Sequence, residues 1–381
     1  MPARKRVCFV ASSPLTVRAF LSPHIAVLST QFDVSVAVNA AAETFAARAL
    51  GARVFTVPVE RRISVLHDLW ALMRLTSIFW RNQFDVVHSV TPKAGLLSMA
   101  AAWLARIPVR IHTFTGQVWA TRKGPARALL RVIDRLIASF ATHVLVDSRS
   151  QRNFLIANRV VTASKSSVLG EGSICGVDGE RFRPDAAARG RVRSALGVPE
   201  NAVLFLYVGR FNRDKGVLDL ASAFAALAKG DPSAHLLLVG PDEGGMRTEL
   251  QRLLAAHADR VHWSDYTEQP EAHMAAADAF CLPSYREGFG QVAVEASATG
   301  LPVIASRIYG VTDAVADGET GLLHVPGDVE GLRKHMQTLL TQPDLRRSLG
   351  NAGRSRALRE FSADRVTRAL LDYYSAVTGK L

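Results

Sequence analysis

Cysteine is scarce: Cys8, Cys175 and Cys281 are the only three in 381 residues. An odd, widely spaced set supplies neither a disulfide framework nor a CxxC metal knuckle, so a reducing compartment and buried or incidental thiols are expected. Long apolar runs are missing as well. The longest uncharged apolar stretch, residues 94–105, falls short of the roughly 20 residues that cross a bilayer. Arg4, Lys5 and Arg6 are followed by only a short apolar run before Ser12-Ser13-Pro14, too short for the core of a signal peptide. A soluble or membrane-peripheral chain is expected. No DxD-type pair stands in a convincing loop, and no fixed-period repeat or low-complexity segment is visible beyond alanine enrichment. Helix-turn-helix, zinc-finger and RNP patterns are absent too, so nucleic acid is not an expected partner despite a net charge of +12.

Acidic residues are under-represented in one half. Residues 1–180 hold 22 Lys and Arg against 10 Asp and Glu, whereas the rest of the chain holds 24 of each, so the whole excess lies in the first half. One part of the protein is expected to face a polyanion or an anionic surface while the other is charge-balanced.

What is present in quantity is apolar residue, 48% of the chain, over a length at which two domains are the default. Short Val-rich runs alternate with longer helical patterns, the signature of βαβ units around parallel sheets. Strands are predicted at 7–11, 34–38, 53–57, 86–90, 110–114 and 143–146, and again at 203–208, 235–239, 261–263, 279–282 and 303–305. The expected fold class is α/β, with two tandem Rossmann-like, doubly wound domains facing across a cleft. The join is placed after a turn-like Gly176-Val177-Asp178-Gly179, near Arg181-Phe182-Arg183-Pro184-Asp185, giving domains 1–180 and 181–362 with a last helix, about 363–381, packing back on the first. Ligands of open parallel sheets bind beyond the carboxyl ends of the strands, so the loops there are the candidate site.

Two such loops carry chemistry. The segment Leu282-Pro283-Ser284-Tyr285-Arg286-Glu287-Gly288-Phe289-Gly290-Gln291 leaves a strand and enters a helix, and the amides of Phe289, Gly290 and Gln291 at that helix N-terminus suit a phosphate. Glu295 lies about one turn further on, where a carboxylate can take ribose hydroxyls; read structurally, it is a surface acid at a helix start and Glu287 an ordinary loop acid. The second loop, Gly209-Arg210-Phe211-Asn212-Arg213-Asp214-Lys215-Gly216, places Arg210 and Lys215 where both can converge on one anion, as two fixed cations do at a diphosphate leaving group. Its plainer reading is a solvated basic turn.

Gly209-Arg210 with Asp214-Lys215-Gly216, Pro283-Ser284, and Glu287-Gly288-Phe289-Gly290 with Glu295 resemble the EX7E glycosyltransferases, the large retaining family 4 of GT-B fold. The likeness extends through Gly300-Leu301-Pro302-Val303-Ile304-Ala305 and Asp317-Gly318-Glu319-Thr320-Gly321-Leu322-Leu323. In the first half, His88-Ser89 through Lys93-Ala94-Gly95, Arg110 to Gly116, and Gly172-Ser173 with Gly176-Val177-Asp178 and Arg181-Phe182 are similar to the branch that builds bacterial surface polysaccharides on a lipid carrier. The resemblance implies a nucleotide-sugar donor, UDP-linked by analogy, held mainly by the second domain. Arg210 and Lys215 would hold the diphosphate, Glu295 the ribose, and Glu287 the sugar hydroxyls, with Ser284 and Gly209 in the donor loops. Transfer with retention would proceed on one face of the sugar, with no protein nucleophile, no cofactor and no metal. The acceptor implied is a polyprenyl-diphosphate-linked saccharide, and the place the cytoplasmic face of the bacterial inner membrane.

Two features depart from that family. Where many relatives have a Gly-Gly loop after the first strand, this chain has Ser12-Ser13-Pro14-Leu15-Thr16, and where many have a His directly before a glycine it has Thr115-Gly116. His112, three residues before Thr115, is a candidate catalytic group if the strand ends before it; the alternative is a buried, hydrogen-bonded histidine, and His88 carries the same pair of readings. Lys93 joins them on the acceptor side.

The excess charge has a pattern. Arg127, Arg131 and Arg135 form an i, i+4, i+8 row after Arg122 and Lys123, with Leu129, Leu130, Ile133, Leu136 and Ile137 mostly on other faces. Upstream, Arg61, Arg62, Arg74 and Arg81 alternate with Leu69, Trp70, Leu72, Phe79 and Trp80. Both stretches read either as solvated faces of packed helices or as anchors on an anionic membrane, which attracts about 1 kcal/mol per basic residue. Another GT-B nucleotide-sugar enzyme such as an epimerase stays open as a second reading, and a basic nucleic-acid-binding protein as a third.

Overall fold

The computed structural model describes residues 4–39, 51–59 and 64–379; Arg61 and Arg62 lie outside them. The chain divides into two compact units, Met1–Gly176 with Ala363–Leu381, and Val177–Ser362.

The first unit is built on seven parallel strands: β1 (Arg6–Ala11), β2 (Asp33–Val38), β3 (Arg53–Thr56), β4 (Val86–Val90), β5 (Val109–Phe114), β6 (His143–Val146) and β7 (Ser166–Ser167), in the order β3-β2-β1-β4-β5-β6-β7. Side chains alternate across the sheet because successive residues of a strand point to opposite faces. Cys8 and Val10 enter one apolar layer, while Val7 and Phe9 enter the other. The first layer is completed by helices Val65–Asn82, Pro92–Leu104 and Gly124–Phe140, which pack beside one another. The second is completed by helix Ser22–Leu28 and by the C-terminal helix Ala363–Thr378, whose Leu370 and Tyr374 are buried against Phe9 and its neighbours.

The second unit carries β8 (Val203–Val208), β9 (Ala234–Val239), β10 (Val261–Ser264), β11 (Ala279–Leu282), β12 (Val303–Ser306) and β13 (Gly321–His324), again all parallel, in the order β10-β9-β8-β11-β12-β13. Leu204 and Leu206 of β8 face one layer; Phe205 and Tyr207 face the other. Strand order reverses between β8 and β11, and a doubly wound sheet opens its binding crevice at such a switch point. The loops leaving these two strands are residues 209–216 and 283–290.

Two short strands were not anticipated: β7, two residues long, and β13, which begins on a glycine. All three cysteines are free and buried, and burial raises the thiols of Cys8 and Cys281. Among the described residues no helix is long and apolar enough to cross a membrane.

Candidate active site

The two loops at the switch point are braced against each other. Gly216 has φ +65° and lies so close to the other loop that a Cβ there would sit 2.0 Å from the Pro283 carbonyl oxygen. Only glycine fits both the left-handed backbone and that contact. The Tyr285 amide donates to the Asp214 carbonyl at 2.9 Å, and the Arg286 guanidinium donates to the Asp214 carboxylate at 2.9 Å.

Within this frame Lys215 donates from Nζ to Glu287 Oε1 at 2.6 Å, and the Ser284 hydroxyl donates to the same oxygen at 2.8 Å. Asn212 caps the short helical turn Arg213–Lys215, accepting from the Lys215 amide at 3.2 Å, which fixes where the lysine leaves the backbone. Arg210 leaves the same loop at its other end and donates from Nη1 to both oxygens of Glu243, at 2.8 and 3.1 Å. Gly209 admits the neighbouring loop: a Cβ on Gly240 would meet the Gly209 carbonyl oxygen at 2.0 Å.

The second loop ends at helix Gln291–Ala298, whose N-cap is Gly290 at φ +85° with no side-chain cap. A helix start without a capping side chain keeps its partial positive charge for an external anion. Gly310 lets its own loop touch this turn, since a Cβ there would stand 2.2 Å from the Gly288 carbonyl oxygen. The Phe289 ring is buried edge-on against Phe361, so that residue contributes backbone rather than side chain. Glu295 is half-buried one turn into the helix, Gln291 donates to it at 3.4 Å, and burial pushes its carboxyl up to about 7. Arg210, Lys215, Ser284, Glu287 and the amides of residues 289–291 thus lie on the two loops that leave β8 and β11 in one unit, with Glu295 on the helix that follows the second. The partner of Arg210, Glu243, was not foreseen.

The first unit corrects several expectations. His112 is 1% exposed; its Nδ1 is 2.8 Å from the Ser89 hydroxyl, its ring is edge-on to Phe114, and desolvation lowers it to about 3. Helix packing encloses it so closely that a Cβ on Gly95 would lie 2.4 Å from its Cε1. Its surroundings match the buried, hydrogen-bonded reading of this histidine. His88 is likewise interior, bonded to Tyr374 Oη and Thr113 Oγ1, each at 2.7 Å, and lowered by burial to about 3. Lys93 is no free cation, because it pairs with Asp68 at 2.6 Å and so ties helix Pro92–Leu104 to helix Val65–Asn82. Ser13 caps the turn Pro14–Thr16 after β1, accepting from the Thr16 amide.

The arginine row of helix Gly124–Phe140 is also not its outermost face. Arg127 lies over the Trp119 ring at 5.8 Å, and Arg135 donates to the carbonyls of Arg159 and Asn158. Arg131, like these two, is half-buried, and what the helix exposes is apolar: Leu129 at 62%, with Val132 and Leu136 along the same stripe. Trp80 of helix Val65–Asn82 and Trp103 of helix Pro92–Leu104 are also exposed, at 73% and 53%.

The model of Glycosyl transferases group 1 matches residues 189–356, and that of the Glycosyl transferase 4-like domain matches residues 26–172. The capsular polysaccharide biosynthesis glycosyltransferase CapM of Staphylococcus aureus is 30% identical over 320 residues, 84% of each chain. A D-inositol 3-phosphate glycosyltransferase of Saccharomonospora viridis is 38% identical over 316 residues, 76% of this chain and 70% of the other. Among solved structures, Anabaena HepE in complex with UDP and glucose superposes with a TM-score of 0.83, covering 98% of this chain and 100% of that one at 20% identity.

Two parallel α/β units of this order are the GT-B fold. The chain belongs to family 4 of the glycosyltransferases with this fold, on the two family matches and the CapM likeness together.

Proposed function

We propose that the protein is a retaining enzyme that moves a hexose or N-acetylhexosamine from a UDP-sugar to a polyprenyl-diphosphate-linked saccharide in O-antigen, capsule or exopolysaccharide synthesis. The observation that carries the donor half is the placement of Arg210 and Lys215 on the β8 loop, beside an uncapped helix start and Glu295 on the neighbouring β11 connection. A diphosphate fits between such cations and the amides of residues 289–291, and Glu295 accepts from ribose hydroxyls. HepE, crystallised with UDP and glucose, supports a uridine donor, and CapM, named for capsular polysaccharide biosynthesis, supports the polysaccharide setting.

In the reaction, the bond from the anomeric carbon to the β-phosphate oxygen breaks. The acceptor oxygen bonds to the same face of that carbon, and its proton passes to the departing phosphate. Arg210 and Lys215 stabilise the charge that develops on the leaving group, the part a divalent ion plays elsewhere, so metal-independent transfer is proposed. Glu287, fixed by Lys215 and Ser284, receives the sugar hydroxyls.

For the acceptor half we propose peripheral binding to the cytoplasmic face of the inner membrane through helices Val65–Asn82, Pro92–Leu104 and Gly124–Phe140. The support is the set of exposed apolar side chains on these helices, Leu66, Trp80, Trp103, Leu129 and Leu136, together with the row Arg127, Arg131 and Arg135 on the last of them. The deciding experiment is thermal shift or ligand-detected NMR against UDP-, GDP- and dTDP-sugars: a response confined to UDP-sugars is expected, and a response confined to another nucleotide overturns the donor assignment.

A further inference from the structure

We infer that Glu243 is the resting counter-ion of the donor site: it holds Arg210 while the site is empty, yields it when a nucleoside diphosphate arrives, and by competing for it weakens binding of the diphosphate. This rests on the reading of Arg210 as a diphosphate ligand.

Glu243 is held by backbone. The Phe211 amide donates to the Pro241 carbonyl at 2.9 Å and the Glu243 amide donates to the Phe211 carbonyl at 3.0 Å, so the β9 loop runs in register with the β8 loop. The close contact of Gly240 with Gly209 seals the same seam. Asn212 Nδ2 adds a donor to Glu243 Oε2 at 3.3 Å. The loop that carries Glu243 is therefore held in place, whereas Arg210 reaches the carboxylate on a long side chain that uses only Nη1; Nε and Nη2 have no partner among the described residues.

The two cations of the loop differ in how tightly they are held. Lys215 and Glu287 are 21% and 13% exposed, and Glu287 also accepts from the Ser284 hydroxyl, whereas Arg210 and Glu243 are 48% and 40% exposed. A half-exposed ion pair is weak and readily exchanged. A diphosphate offers Arg210 a more concentrated charge and a fork-like pair of acceptors, so it wins the exchange. It then has Glu243 as a like-charged neighbour. Competition and repulsion act in the same direction, toward faster release of the nucleotide product.

A positioning role for Glu243 would have the opposite sign, and that makes the inference testable. Titration calorimetry of the full-length chain with uridine, UMP and UDP compares wild type with Glu243→Gln and Glu243→Ala. Glu243→Gln keeps the size of the side chain and its Asn212 contact. The expected result is UDP binding tighter by about three- to tenfold in both variants, with uridine binding unchanged. Unchanged or weaker UDP binding by Glu243→Gln overturns the inference, as does an equal gain for uridine. Failure of the wild-type protein to bind any nucleoside diphosphate instead removes the donor-site reading itself.

Discussion

Lys215 and Glu287, 72 positions apart, meet at 2.6 Å across the point where strand order reverses. Neither loop holds this geometry alone: Asn212 sets the lysine, Ser284 shares the carboxylate, and the Gly216 contact with Pro283 brings the two loops together. A charged side chain fixed in this way before the donor binds does not have to be ordered during the reaction.

Gly216→Ala tests that contact. The substitution adds a Cβ at 2.0 Å from a carbonyl oxygen and forces an L side chain into left-handed backbone. A loss of about 2 kcal/mol or more is expected, read as a lowered unfolding midpoint, together with loss of donor binding. An alanine variant of wild-type stability would mean that the loops do not approach as described.

Glu295 gives the site a pH dependence. Its folded carboxyl is raised to about 7 by burial, so between its ordinary value of 4.5 and 7 the folded chain holds a proton that the unfolded chain has lost. Stability attributable to this group is therefore full below 4.5 and declines as pH rises toward 7. Glu295→Gln should be more stable than wild type at pH 8, by up to about 2 kcal/mol, with the difference vanishing near pH 4.5. Ribose hydroxyls bind the ionised form, so wild-type affinity for nucleotide should rise with pH through 7 and that of Glu295→Gln should stay flat. Calorimetry at several pH values checks both.

His112→Asn should lower the unfolding midpoint through the lost packing and the altered Ser89 contact, roughly 1–3 kcal/mol, while leaving the shape of the pH–rate profile unchanged. Loss of one limb of that profile in a folded variant would return His112 to the reaction.

The exposed stripe of helix Gly124–Phe140 is the membrane test. Replacing Leu129 and Leu136 together by Glu should abolish cosedimentation with anionic liposomes without altering turnover on a soluble acceptor analogue. Wild-type binding should weaken with salt, and binding indifferent to lipid charge would contradict the proposed docking.

Much of this was legible locally. Short apolar runs mark β8 and β11, and glycines and charged residues mark the loops after them, because strand, turn and helix start are encoded by neighbouring residues. β13 was hidden because four residues beginning on glycine carry little strand signal. Other features depend on distant partners. Nothing near Arg210 announces Glu243, and the helical spacing of Arg127, Arg131 and Arg135 shows that they share a face but not that Leu129 and Leu136 point outward. His88 and His112 look alike as candidates until Tyr374 and Ser89 are seen against them.

The central claim is that Arg210 and Lys215 hold the donor's diphosphate, and the affinity gained from UMP to UDP measures it directly. Wild-type protein should bind UDP at least tenfold more tightly than UMP, and Lys215→Ala and Arg210→Ala should each remove most of that ratio while leaving UMP binding within about twofold. A UDP-to-UMP ratio unchanged in both variants, with the fold intact by circular dichroism, would contradict the account.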